Sequence, residues 1–551
     1  MAALAVAALP LCGTRLAAQR CERIESRTNL AAVAGERVLS VDVSTENPAE
    51  HGIVGAVTGL VHVRTRAGAV RQRLLIAPGD VADTARVAES LRRLRRLRFL
   101  DDASIVAERC EGTDGVALTV ATRDAWSISP ELRAAAPPPP GAEELEPSRG
   151  LRLPNGLLGV EERNFLGSGR EVRAGIETRS GRVGGSVSLV DPFVLGSPIV
   201  GRVRLSRLPN ERLSSLTLRS DERDVARPWR GSFTATSASR WPMFGAAGHF
   251  SRGGVQGLVG RRVTDDAAGA ALYVSAGAEL ASARMTRFDG MRTPGPETVA
   301  RRFVGADVGV DRVATRYAPT TWLLPHDAVF DVPMGFEYSA VVGVGEKLLL
   351  RAPAAHLDAW VGRIWHPGDR ALLATDVWSS GFLYSRQVEA GVLRTAATLL
   401  AAAPHGNWMV RVAGERLLRT DPDVRPLVGL DPTAPMLSTG DRLAGRAVAA
   451  TLERSFRFDA PVGGRTAFDV AAFASGSLRN QPCGTETQSI SAAVVGIGVH
   501  TAPIAATRAT MRLDWMVPVA ASPGLRRRPY ARITVAPGFV ADRVRDALRG
   551  R

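Results

Sequence analysis

The side chains able to do chemistry are scattered along this 551-residue chain. Eight histidines occur without a His-Glu-x-x-His pair, and the four cysteines form no Cys-x-x-Cys, so neither zinc-binding spacing is present. No Gly-x-Ser-x-Gly elbow offers an activated serine. Lys347 is the only lysine and is followed by Leu348, which excludes a Walker-type phosphate loop. Gly167 and Gly169 have the look of a nucleotide loop, but a strand pattern follows them and not a helix, so a hairpin turn is expected. The chain reads as a protein that is not an enzyme and needs no cofactor or metal. One catalytic alternative stays open, because a barrel enzyme would carry its Ser, His and Asp on separate strands, where no linear pattern reveals them.

The formal charge of +15 is almost wholly arginine. The arginines are spread out, which argues against nucleic acid and leaves outer-membrane lipid and lipopolysaccharide as counter-charges, or a compositional bias with no partner. Five of them cluster: Arg92, Arg93, Arg95, Arg96 and Arg98. They read as the solvated face of an amphipathic helix, with a grip on phosphates or an acidic partner as the alternative.

The elements that would position these groups fall into regions. Residues 1–18 have the apolar core and small residues of an export signal, with a lipoprotein signal at Cys12 as the alternative. Residues 36–127 mix strand and helix in the order β-α-α-β-β. The spacing predicts a strand over Glu36–Ser44, a helix over Ala69–Ile76, and a helix capped by Asp83 that runs to Leu100 and carries Val87, Leu91, Leu94 and Leu97 on one face. Strands over Ala103–Glu108 and Val116–Arg123 close the unit. Residues 128–150, with four consecutive prolines and an acidic run, read as a stiff linker. From Leu151 to Phe539 the pattern alternates apolar with polar or glycine, as in Leu272/Val274/Ala276/Ala278/Leu280, in Phe330 to Ala340, and in Met511/Leu513/Trp515/Val517. Such alternation suits a soluble sandwich or propeller, or a membrane barrel, whose strands need roughly 9–11 residues to cross. Strand length and the export signal favour the barrel.

Several segments resemble the BamA/TamA family of outer-membrane assembly factors. The β-α-α-β-β unit, with Pro78-Gly79-Asp80 before the capped helix, is similar to a POTRA domain. The run Asn164-Phe165-Leu166-Gly167-Ser168-Gly169 resembles the family's first hairpin, and Asp191-Pro192-Phe193 the end of its third strand. Five strand patterns follow Asp441. The last, Tyr530–Phe539, resembles the family's closing strand, which ends on an aromatic, here Phe539. A tail, residues 540–551, extends beyond it. The resemblance implies a transmembrane antiparallel β-barrel of about 16 strands preceded by one small α+β POTRA-like periplasmic domain. It implies an outer-membrane location and a role in assembling, inserting or translocating protein or lipid, with periplasmic client polypeptides as partners of the POTRA-like domain. A passive pore or structural barrel is the alternative.

The resemblance also assigns site residues. The inward sixth loop maps to Leu427-Val428-Gly429-Leu430-Asp431, where Val428 stands in place of the family's arginine. The acid that this arginine meets maps to Asp469; Arg425, three residues before Val428, is the expected substitute partner, the alternative being that Asp469 faces lumen water and the loop is loose. Cys21 and Cys110 would share an oxidising compartment, where a disulfide between them is expected, two free thiols being the alternative.

Overall fold

The computed structural model describes residues 34–48, 62–97, 99–109, 115–134, 156–179, 182–208, 211–220, 227–240, 248–266, 270–287, 297–322, 329–347, 352–384, 387–418, 446–460, 466–483, 486–502, 509–522 and 529–537. The expected signal segment, tail, most of the linker, Cys21, Cys110, Arg425, Leu427 to Asp431 and Phe539 lie outside them.

The N-terminal unit runs β1 (Val38–Glu46), α1 (Ala67–Arg71), α2 (Thr84–Arg95), β2 (Leu100–Arg109) and β3 (Val116–Asp124). Its sheet has the order β1-β3-β2, with β3 central, parallel to β1 and antiparallel to β2. The two helices cover one face. The Asp83 carboxylate accepts the Ala85 N–H at 2.8 Å and starts α2, as the cap reading expects. Val87 and Leu94 on α2 pack with Val70, Ile105, Leu118 and Val120. Each fully buried Val or Leu contributes about 1.5–3 kcal/mol, which makes this a real, if small, core. Helix α2 stops at Arg95, short of the expected Leu100, because Phe99 and Leu100 turn back into the core.

Twenty strands among the described residues close into an antiparallel barrel. They are β4 (Ile128–Ala134), β5 (Gly156–Phe165), β6 (Arg170–Arg179), β7 (Arg182–Asp191), β8 (Ile199–Leu208), β9 (Glu211–Ser220), β10 (Trp229–Arg240), β11 (Gly248–Asp266), β12 (Ala270–Arg287) and β13 (Glu297–Ala314). A separate two-stranded hairpin follows, β14 (Tyr317–Thr320) with β15 (Phe330–Pro333). The barrel resumes with β16 (Gly335–Lys347), β17 (Ala352–Gly368), β18 (Ala371–Tyr384), β19 (Gln387–Ala403), β20 (Gly406–Leu418), β21 (Arg446–Ala460), β22 (Thr466–Cys483), β23 (Glu486–Ala502), β24 (Ala509–Ala521) and β25 (Tyr530–Pro537). An even number puts both ends of the barrel chain at one rim, the proximal rim, where the N-terminal unit also sits.

The alternation holds through the barrel wall. On β24, Leu513 and Trp515 are exposed while Asp514 and Met516, which alternate with them, are fully buried. On β21, Val448, Leu452 and Phe456 face out while Thr451 and Glu453 face in and are buried. The outside is therefore largely apolar, while the inside mixes polar side chains with apolar ones such as Met516.

Three expectations change. Among the described residues the count is twenty, not sixteen, and short connections make room for it: β6 and β7, β8 and β9, and β22 and β23 are each joined by two residues. The range expected to be linker contributes a barrel strand, because Ile128–Ala134 pairs along β5. The alternation from Phe330 to Ala340 is not one strand. It breaks after Pro333, and Gly335 turns the chain at φ +105°, a conformation that favours glycine.

Candidate functional site at the proximal mouth and the seam

The N-terminal unit meets the barrel through residues that the hairpin sequence supplies. In the turn between β5 and β6, Leu166, Gly167 and Gly169 have φ of 55°, 70° and 72°. Asn164 is 1 % exposed and holds the turn, accepting the Gly169 N–H at 2.9 Å. Its amide also donates to the Thr65 hydroxyl at 2.7 Å. The Gly167 carbonyl accepts the Arg66 N–H at 2.9 Å, and a Cβ on Gly167 would stand 2.4 Å from the Arg64 carbonyl oxygen. Glycine is thus required twice here, for its dihedral and for the close approach. Behind this contact, Asp124 at the end of β3 accepts the Thr65 N–H at 2.8 Å and lies 2.9 Å from His62 Nε2. A second contact sets the Arg73 guanidinium over the Phe193 ring, 4.4 Å from its centre. Asn164, Gly167, Gly169 and Phe193 all come from segments that the sequence analysis singled out. The glycine pair is a hairpin turn, as expected.

A third contact was not expected. The β14–β15 hairpin enters the proximal mouth, where Val332, wholly buried, packs with Trp322 on the inward side chains Ile364, Leu372, Ala374, Leu400 and Met409. Its other side meets α2. Arg92 lies over the Tyr317 ring at 5.2 Å, and Arg95 Nη1 is 4.0 Å from Asp331 Oδ1. Glu89, buried on the same helix, gathers Arg92 at 2.9 Å, Arg96 at 3.0 Å and Arg93 at 3.5 Å. The arginine face is therefore not simply solvated. Arg93 is 11 % exposed, and the other three described arginines are about a quarter exposed. The acidic partner that such a face would grip is in the chain itself. Burial pushes the Asp331 carboxyl up from its ordinary 3.8, against the pull of Arg95, Arg92 and Arg96, while Glu89 adds to the rise. The sequence signal for the hairpin was the Pro333 and Gly335 pair interrupting an otherwise even alternation.

The barrel closes between β25 and β4, and this seam is short. Ile533 stands opposite Ala134 and Thr534 opposite Arg133, and no other pair joins the two strands among the described residues. On their other edges the same strands pair along their full length, β24–β25 from Ala509/Pro537 to Met516/Tyr530 and β4–β5 from Ile128/Glu162 to Ala134/Gly156. Continuing the seam register towards the proximal rim would set Pro537 opposite Pro130. Neither has an N–H to give, so that end of the seam is poorly equipped to zip. Among the described residues, Ile128–Leu132 have no ladder partner on the β25 side and form an edge there.

Asp469 lies on β22 with its side chain on the inward-facing parity of Ala471 and Phe473. Its described partner is Arg457, directly across on β21, with Nε 3.2 Å from Oδ1. Arg425 lies outside the described residues, and among those described the counter-charge of Asp469 comes from the neighbouring strand.

No protein-family model and no curated protein matches this chain. Among solved structures it is similar to CdiB from Escherichia coli, with 11 % identity, 93 % of this chain and 79 % of that chain covered, and a TM-score of 0.41. CdiB from Acinetobacter baumannii aligns at 9 % identity over 91 % and 74 %, with a TM-score of 0.38. BamA from Haemophilus ducreyi lacking POTRA domains 1–3 aligns at 10 % identity over 90 % and 84 %, with a TM-score of 0.33. The likeness is one of overall shape, and the barrel stands on its own strand pairing.

Proposed function

We propose that this chain is an outer-membrane β-barrel that inserts or translocates polypeptide, without catalysis of covalent chemistry, and that its N-terminal unit is a POTRA-like domain on the periplasmic side. The outward apolar side chains suit a lipid-facing wall, and closure of the sheet satisfies backbone groups that hydrocarbon would leave bare. The observation that carries the functional reading is the seam. A pair of strands joined by two residue pairs, flanked by Pro130 and Pro537, leaves edge donors and acceptors that an incoming strand can use. The β14–β15 hairpin sits in the proximal mouth against β17 to β20, with α2 on its other side, and would have to yield for a client to enter the lumen there.

The test is reconstitution of the full chain in lipid vesicles with a urea-unfolded barrel client. Faster client folding than in empty vesicles is the expected result. Ion conductance with no gain in client folding would replace this reading with that of a passive pore.

A further inference from the structure

Three arginine–aromatic pairs occupy the outer face of the barrel near its proximal rim. Trp229 opens β10 directly opposite Arg261 on β11, whose guanidinium lies 5.5 Å from the indole centre. On β17, Arg363 lies 5.0 Å over Trp365. On β20 and β21, Trp408 stands opposite Arg454, which lies 5.4 Å over it and 4.6 Å over Phe456. Trp229 and Trp408 are about half exposed. Arg261 and Arg363 are exposed too, and Arg454 has the outward parity of Leu452 and Phe456.

A fourth pair with the same chemistry points into the lumen and provides the contrast. Arg394 lies 4.9 Å over Trp378, and its charge is answered by Glu415 at 3.3 Å. Among the described residues no carboxylate lies within 4.0 Å of Arg261, Arg363 or Arg454. Among the described residues, the lumenal guanidinium meets a carboxylate and the outer ones do not, Arg454 Nη2 donating instead to the neutral Pro404 carbonyl at 2.7 Å. An uncompensated cation at the edge of an apolar band is costly unless an anion meets it there. The aromatic face holds each guanidinium at the depth of the rim, where a phosphate would sit.

We propose that these three pairs form a girdle that selects anionic phospholipid headgroups in the proximal leaflet. The inference rests on the reading of the chain as a membrane barrel. Arginine is suited to the task because its planar donors bind phosphate oxygens in pairs and it stays charged at any relevant pH.

The full chain is reconstituted in vesicles of phosphatidylcholine and phosphatidylglycerol, and spin-labelled forms of each lipid report the fraction held at the protein surface. Phosphatidylglycerol should be preferred about fivefold at low salt, the equivalent of about 1 kcal/mol per basic residue at the interface. The preference should fall as salt screens it. The combined variant Arg261→Gln, Arg363→Gln, Arg454→Gln should hold the two lipids equally, while Arg394→Gln keeps the preference. Equal retention by the unmodified protein, or a preference that survives the triple variant, overturns the inference. Heat-modifiable migration shows whether the variant is folded. If it is not, the salt series on the unmodified protein decides, and a salt-independent preference overturns the proposal. A chain that does not enter the vesicles overturns the membrane reading as well. Entry without lipid preference removes the girdle alone.

Discussion

The side-chain amide of Asn164 joins two parts of the molecule, donating to Thr65 at 2.7 Å while its carbonyl oxygen accepts the Gly169 N–H at 2.9 Å. One residue therefore both closes the β5–β6 turn and docks the N-terminal unit on it. Asn164→Ala leaves a buried hydroxyl and a buried N–H unpaired, at about 1–3 kcal/mol each. Faster protease cleavage between the unit and the barrel is the expected outcome, with heat-modifiable migration of the barrel retained. An unchanged cleavage rate would show that docking depends on the Arg73–Phe193 and hairpin contacts instead.

Sealing the seam should stop client insertion. Ala134 and Ile533 are directly opposed, and opposed positions on antiparallel strands have Cα separations that a disulfide can span. Ala134→Cys with Ile533→Cys should lower client folding in the oxidised state and restore it on reduction. Full activity with the bridge formed would remove the seam from the mechanism.

Val332 is wholly buried between the hairpin and the barrel wall. Val332→Ala should loosen the hairpin by about 2 kcal/mol. Val332→Asp should do more, by burying an unpaired charge. Planar-bilayer conductance should rise in that order. Equal conductance in all three proteins would mean that the hairpin does not gate the mouth.

Asp331 predicts how pH acts on the same contact. Its carboxyl is raised above 3.8 in the docked state, chiefly by burial. A raised carboxyl binds its proton more tightly docked than undocked, so docking strengthens as pH falls through the raised value. The gain is complete near 3.8 and absent well above the raised value. Conductance should therefore drop on acidification across that window, and Asp331→Asn should abolish the dependence. A variant that keeps the acid response would place the titrating group elsewhere.

Asp469 has two candidate partners, Arg457 on the neighbouring strand and Arg425. Double-mutant cycles separate them. Arg457→Ala with Asp469→Ala should show coupling of up to about 1 kcal/mol, the modest value of a partly exposed pair. Larger coupling between Arg425 and Asp469 would return the loop-anchoring role to Arg425.

Much of this architecture is legible in the residues. The Asp83 cap, the apolar stripe of α2, the turn chemistry of Asn164 to Gly169 and the period-two barrel strands are local properties, set by side-chain spacing and backbone preference within a few residues. The five strands expected after Asp441 are all present as β21 to β25. Local rules also allow for the break at Pro333 and Gly335, although an apolar–polar alternation runs straight through it.

What the chain could not announce depends on which distant segments meet. That Arg95 faces Asp331, that Val332 rests against Leu400, and that β25 and β4 pair at only two positions among the described residues are consequences of closing a twenty-stranded sheet. The inward or outward sense of each strand follows from its own alternation. The neighbours it brings to the mouth and the seam follow from register and strand number, which emerge only when the barrel is complete.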